Sequence, residues 1–380
     1  MVLKILKYIL CFIPSLLAAI VLFFAQISAG AENLDFEIQQ QIDRIAYLES
    51  AYSSREIAPV DESKIYAGDL KADLENGIKF NEMSFLGTHN SYQTAAVEQR
   101  KQLFKYLSNV TFGLVDEKSA DFESQTLTDQ LECGIRSFEI DIEAFVRKGE
   151  ISFTCMHSPN FEMSTSCYDF ELAMKEIALW SDNNPDHLPI TIIIEPKKTF
   201  VPMKNMKFFK VDYAQALDET LRACLGDKLF TPADMLRDYE SFGAMRAADD
   251  WCKVEDMLGK VVVMLHECKA TEDYIAIDPS IKSQAMFPML READIERDCT
   301  SIILSNKPQE LLLINEDVKA KKIMVRTRCD KFNEITDERK ELAFESEANI
   351  ISTDYPIRTD LAADGYFVSF GGYTTVKGNK

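Results

Sequence analysis

The sequence predicts an α/β protein, a (β/α)8 TIM barrel, regular or slightly distorted, with an N-terminal helical extension. Three observations carry the prediction. Five strand-like apolar runs each end in polar or titratable residues: Met83–Ser91, Ile135–Glu143, Ile151–His157, Ile190–Glu195 and Val261–Glu267. Strands alternating with helical patterns recur along the chain, as βα units require. Length agrees, because such barrels run to about 250 residues and often carry insertions, and the chain has 380.

Residues 1–30 read as a targeting segment, in which Lys4 and Lys7 precede an apolar stretch from Tyr8 to Phe24 and the small residues Ser28, Ala29, Gly30 and Ala31 follow. A cleaved signal peptide is expected. The alternative is an uncleaved anchor, since the stretch approaches the ~20 apolar residues that span a bilayer. Either way the remainder is expected outside the cytoplasm, secreted or periplasmic. Residues 31–79 form the extension, with Leu34, Phe36, Ile38, Ile42, Ile45 and Leu48 near helical spacing and Ser53-Ser54 and Ala58-Pro59 as linker.

The barrel is expected over 80–380, with its first strand at Phe85. The connection from Ser91 to Gln130 carries Phe104, Tyr106 and Phe112 and reads as a rim loop. Strands over Ile135–Glu143 and Ile151–His157 follow, then the turn Ser158-Pro159-Asn160 and a helix from Asp169 to Trp180. Ile190 to Ile194 is nearly all β-branched, as suits a parallel strand covered on both faces. After a helix from Asp212 to Leu225 come strands at Val261–Leu265, Ser301–Leu304, Ile323–Thr327 and, past a helix over Glu334–Glu347, Asn349–Thr353. That makes eight strands.

An excess of 62 acidic over 42 basic side chains gives a net charge of −20. Such a charge argues against nucleic acid and against simple adhesion to anionic bilayers, so contact with a membrane surface is expected to be local and transient. A monomer is expected. Nine cysteines occur, and removing Cys11 leaves eight, which permits up to four disulfides or serves as small buried apolar residues. No Cys-x-x-Cys pair supports a zinc ribbon. Asn109-Val110-Thr111 is a glycosylation sequon.

Glu139 and Asp141 lie two apart on a strand, so both side chains leave one face while Phe138, Ile140 and Ile142 leave the other. Two carboxylates held together repel unless a cation lies between them. With Asn90 and Glu195 the donor set is all oxygen, which suits a hard ion such as calcium better than zinc. His89 and His157 then remain as acid/base groups, and His266-Glu267 is a second-rank candidate. Lys197 can reach a phosphate oxygen, Arg326 and Arg328 share a strand face where a phosphodiester or hydroxyl could be met, and Tyr355 can stack on a sugar-like ring. The plain alternatives are a solvated lysine, an ion pair of the arginines with Asp330 or Asp354, and packing.

On these residues the sequence resembles the calcium-dependent branch of the phosphatidylinositol-specific phospholipases C. His89-Asn90 matches that family's histidine and metal-binding asparagine, Glu139 and Asp141 its Glu-x-Asp, His157 its second catalytic histidine, and Glu195 its last metal carboxylate. The resemblance implies a calcium-assisted phosphodiesterase acting on phosphatidylinositol or a related glycerophosphoinositol. It implies that His89 stabilises the phosphorane, that His157 protonates the leaving alkoxide and that Glu139 takes the nucleophile's proton, with a cyclic inositol phosphate formed first. A glycerophosphodiester phosphodiesterase is the nearest rival, although that family's first motif resembles His-Arg-Gly. A non-catalytic calcium- or headgroup-binding protein is a rival of another class, and it needs neither histidine.

Overall fold

In a computed structural model of the chain, eight parallel strands close into a barrel: β1 (Met83–Thr88), β2 (Ser137–Arg147), β3 (Ile190–Pro196), β4 (Val261–Leu265), β5 (Phe287–Arg291), β6 (Ile302–Leu304), β7 (Met324–Arg328) and β8 (Ile350–Thr353). Ile350 pairs with Phe85 and Gly87 with Ser137, which completes the ring. A Cβ on Gly87 would lie 2.9 Å from Ser137 Cβ, so the closing strands approach this closely only because residue 87 is glycine. The structure describes residues 36–94, 124–157, 164–198, 202–331, 335–356 and 365–379, with parts of 12–18, 101–109 and residue 159. Most of the targeting segment, Phe104, Tyr106 and Phe112 of the expected rim loop, and the sequon's Val110 and Thr111 lie outside the described residues. Among the described residues no helix is long and apolar enough to cross a membrane.

One expected barrel strand belongs elsewhere and another is found where none was expected. The run at Ile151 is a strand, Glu150–Cys155, but it pairs antiparallel with β2, from Arg147↔Glu150 to Ile142↔Cys155. Only Lys148 and Gly149 separate the two, at φ 54° and 91°, the positive values a tight hairpin turn takes. A parallel neighbour needs a crossover of a dozen or more residues, so two residues allow only a hairpin. The true fifth strand, Phe287–Arg291, contains Pro288, which has no amide hydrogen for a ladder and breaks the strand pattern.

The helix expected before the barrel spans 36–54. Two ion pairs fix the extension. Arg44 reaches Glu176 on the Phe170–Asn183 helix at 2.6 Å, and Glu62 accepts from Arg136, whose guanidinium also lies 4.7 Å over the Trp180 ring. Tyr66-Ala67 pairs with Val376-Lys377, and Val376–Gly378 runs antiparallel to β1. None of the eight cysteines after Cys11 is in a disulfide, and the six that are buried serve as small apolar residues.

His187 lies before β3, at the opposite end from the strand exits. Its Nδ1 donates to the Leu188 carbonyl at 2.6 Å and its Nε2 lies 2.8 Å from Ser181 Oγ. Burial depresses its pKa to about 4. The unfolded chain therefore binds an extra proton between about pH 6.5 and 4, so stability is full above 6.5 and is lost as pH falls through that window. The loss should reach about 3 kcal/mol. Denaturant midpoints measured from pH 7 to 4 should show this slope, and it should vanish in His187→Gln. An unchanged slope in the variant would remove His187 as its source.

Candidate active site

The titratable residues at the strand exits project inward because of strand alternation. Phe138, Ile140 and Ile142 pack outward with Phe170 and Ile177 of the covering helix, so Glu139 and Asp141 must face the barrel interior. The same parity sends Glu195, register partner of Asp141, to that side. One oxygen of each of Glu139, Asp141 and Glu195 lies within 4.8 Å of the others.

The turn after β1 adds the fourth oxygen. Asn90 adopts φ 48°, a left-handed conformation asparagine tolerates. Ser91 clamps the turn to β2, since its amide donates to the Glu139 carbonyl and its Oγ accepts from the Glu139 amide, both at 2.9 Å. Asn90 Oδ1 and Asp141 Oδ1 are both buried without a hydrogen-bond partner. Buried oxygens left unpaired are costly, and a hard cation satisfies them. The donor set therefore fits calcium: Asn90, Glu139, Asp141 and Glu195 would hold it.

Two side-chain cations crowd these acids. Lys197 Nζ lies 3.0 Å from Asp141 and 3.3 Å from Glu195, turned into the acid group rather than out to solvent. Burial lowers its pKa, but the two carboxylates outweigh burial and raise it. Arg326 is buried, donating to Glu139 and to Asn306. Burial pushes the Glu139 carboxyl up, but Arg326, with His89, His266 and Arg328, overcomes it and holds the group at about 2. Tyr92 donates to the second Asp141 oxygen at 2.8 Å.

His89 is oriented by a residue that strand pattern alone did not mark. Its Nδ1 donates to Asp354 Oδ1 at 2.9 Å, which turns Nε2 toward Glu139 Oε1, 3.7 Å away. Arg328 donates to Asp354 Oδ2 at 2.8 Å and lies 3.3 Å from His89 Nε2, so Asp354 fixes both. Arg328 thus makes the carboxylate pair that was its plainer reading, while remaining beside the histidine. Asp354 is the first residue past β8 and shares the inward face of Ile350 and Ser352; the only sequence signal for it was an acid at a strand exit.

His157 is half-buried on the hairpin arm, two residues beyond Cys155, which pairs with Ile142. The arm runs back from that pair toward the level of Glu139 and Asp141. His266 follows β4, its Nδ1 donating to the Glu267 carbonyl at 3.0 Å, near enough to Glu139 to act on its charge. Tyr355 is 3% exposed with its ring edge-on to Tyr366 at 5.5 Å, so it offers no open face to a sugar-like ring.

A closed barrel with a carboxylate-held histidine, an all-oxygen donor set and two arginines at its strand exits defines a metal-assisted phosphodiesterase site. The chain belongs to the calcium-dependent phosphoinositide phospholipase C family, whose model matches residues 78–152 and 149–380. It is accordingly a calcium-dependent phosphodiesterase of phosphoinositides. Among solved structures, the fold is similar to that of a calcium-dependent phosphoinositol-specific phospholipase C from Pseudomonas sp. The two share 17% identity, with 80% of this chain and 96% of that one covered and a TM-score of 0.54. A Ca2+-dependent phosphatidylinositol-specific phospholipase C from Streptomyces antibioticus is 16% identical over 73% of this chain and 95% of that one, at a TM-score of 0.52. No curated protein sequence matches the chain.

Proposed function

We propose that the chain cleaves phosphatidylinositol or a related inositol phospholipid outside the cytoplasm, by attack of the inositol hydroxyl on its own phosphate, with a cyclic inositol phosphate as first product. The observation that carries this reading is the Asp354–His89 pair set 3.7 Å from Glu139, at the edge of the acid group. Calcium held by Asn90, Glu139, Asp141 and Glu195 would supply a Lewis acid that polarises the phosphate and lowers the pKa of the attacking hydroxyl.

Asp354 fixes the His89 ring so that Nε2 can hydrogen-bond the phosphorane, a preorganised donor of the kind that stabilises developing charge. Arg328, held by the same carboxylate, supplies a second donor. His157 donates its proton to the leaving alkoxide as general acid. Glu139 takes the proton of the attacking hydroxyl, but a carboxylate held at about 2 is a weak base. That role therefore goes with the Arg326 guanidinium shifting from Glu139 toward the phosphate, a planar fork suited to either anion. Lys197, 3.0 Å from Asp141 and 3.3 Å from Glu195, offsets the negative charge of the acid group. The leading segment is assigned to export, which agrees with substrate in an outer leaflet.

Calcium added to chelated protein should restore turnover of phosphatidylinositol and raise the melting temperature, because a ligand bound only by the native state stabilises it by about 2.7 kcal/mol at a hundred times its Kd. Better restoration by zinc would overturn the oxygen cage. Turnover of glycerophosphocholine in place of the inositol lipid would favour the rival phosphodiesterase. Binding of calcium without turnover of either would favour a non-catalytic role.

A further inference from the structure

One face of this acidic chain has the opposite character. Lys197 to Lys210 contains five lysines and no aspartate or glutamate, in a chain of net charge −20. Lys198, Lys204, Lys207 and nearby Lys269 are exposed, and none of the four pairs with an acid among the described residues. Between them stands Phe208, 70% exposed.

Its base is rigid. Met206-Lys207 is a short strand paired antiparallel with Phe145 and Ala144 of β2, and Phe209 packs 6.5 Å from the Phe153 ring and 6.4 Å from Tyr213. Phe209 thus anchors the segment and Phe208 is directed outward. Ala144 lies three residues beyond Asp141 on one strand, so the patch stands about 10 Å above the carboxylates at ~3.3 Å per residue. A cleft of about 550 Å³ lies within the patch, lined by Phe208, Phe209, Cys268 and Lys197, the last of which pairs with Asp141 and Glu195.

Resting on the phospholipid reading above, we propose that this patch is the surface by which the enzyme docks on an anionic bilayer, with Phe208 entering the headgroup boundary and the lysines meeting anionic lipid. An exposed aromatic ringed by unpaired lysines matches an interface that is apolar beneath and negative at its surface. The remaining charge contributes orientation. Acidic faces are repelled by the same membrane, and at a Debye length of about 8 Å each face acts locally. The basic rim is then the face that stays down, and it lies beside the catalytic carboxylates.

The test uses full-length chain and vesicles of phosphatidylcholine, alone or mixed with phosphatidylserine, in chelator. Neither lipid is an inositol phosphodiester, and neither contact runs through the metal. Sedimentation should show binding to the mixed vesicles that weakens with salt, falling about five-fold for each lysine removed in Lys204→Ala and Lys207→Ala, and about ten-fold or more in Phe208→Ala. Phe208→Trp should shift its emission to the blue on those vesicles. All variants should hydrolyse a soluble inositol phosphodiester in calcium at the wild-type rate, which also shows that they fold. Wild-type protein that ignores both vesicles, or variants that bind as wild type does, would overturn the docking surface. Loss of soluble turnover in wild type would overturn the phosphodiesterase reading instead.

Discussion

His157→Ala should slow cleavage of phosphatidylinositol by about 10²–10⁴-fold, the usual worth of general acid catalysis, and slow a synthetic inositol phosphodiester with an aryl leaving group far less. A diacylglycerol alkoxide needs a proton as it departs, whereas an aryloxide leaves without one. His89→Ala should slow both substrates by similar factors, because charge builds on the phosphoryl oxygens whichever group departs. The readout is the ratio of the two losses for each variant, under saturating calcium so that metal loss does not pass for a catalytic defect. Equal losses on both substrates for both variants would mean that His157 is not the acid. A reversed pattern would exchange the two roles.

Arg326→Met should cost about 3–5 kcal/mol of stability in chelator, the usual result of stripping one partner from a buried pair. Glu139 and Arg326 are both almost fully buried and meet directly, so the variant leaves an uncompensated carboxylate inside the barrel. The sign with pH should reverse. In the native pair the Glu139 carboxyl is held at about 2, so its contribution is present above about pH 4.5 and is lost as pH falls toward 2. In the variant the largest lowering charge is gone and burial is opposed only by His89, His266 and Arg328, so the carboxyl should rise and protonating Glu139 should recover stability as pH falls. Glu139→Gln combined with Arg326→Met should lose less than the sum of the single changes, as a coupled pair requires. Urea midpoints for the four proteins decide it, and additive losses would mean the pair is not coupled.

The residues legible in the sequence were those whose meaning is local. Glu139 and Asp141 announce a shared face by their spacing, and β-branched Ile190–Ile194 announces a doubly covered strand. What was not legible depends on pairing at long range. Asp354 holds His89 across 265 residues, and Arg326 meets Glu139 across 187, with nothing in either neighbourhood to specify the partner. Lys197 read as a phosphate contact, with a solvated lysine as the plain alternative, because its sequence neighbours do not show that Asp141 lies beside Glu195 in register. The hairpin is a different case. Lys148-Gly149 was a readable turn, and two residues cannot carry a parallel crossover.

That hairpin gives the two histidines different foundations. His89 stands on a strand that closes the barrel, sharing its support with the metal oxygens, so little can move there without loss of the whole site. His157 stands on an arm attached along one edge of β2 and, at its far end, through the Cys155 amide to the Tyr168 carbonyl at 2.9 Å. Past the arm the chain ties back to the turn after β1, where the Ser164 carbonyl accepts from the Thr94 amide at 3.2 Å and the Ser166 amide donates to the Tyr92 carbonyl at 2.7 Å. Substitutions along Glu150–Cys155 of the arm should therefore change the preference for the departing group more than they change calcium affinity.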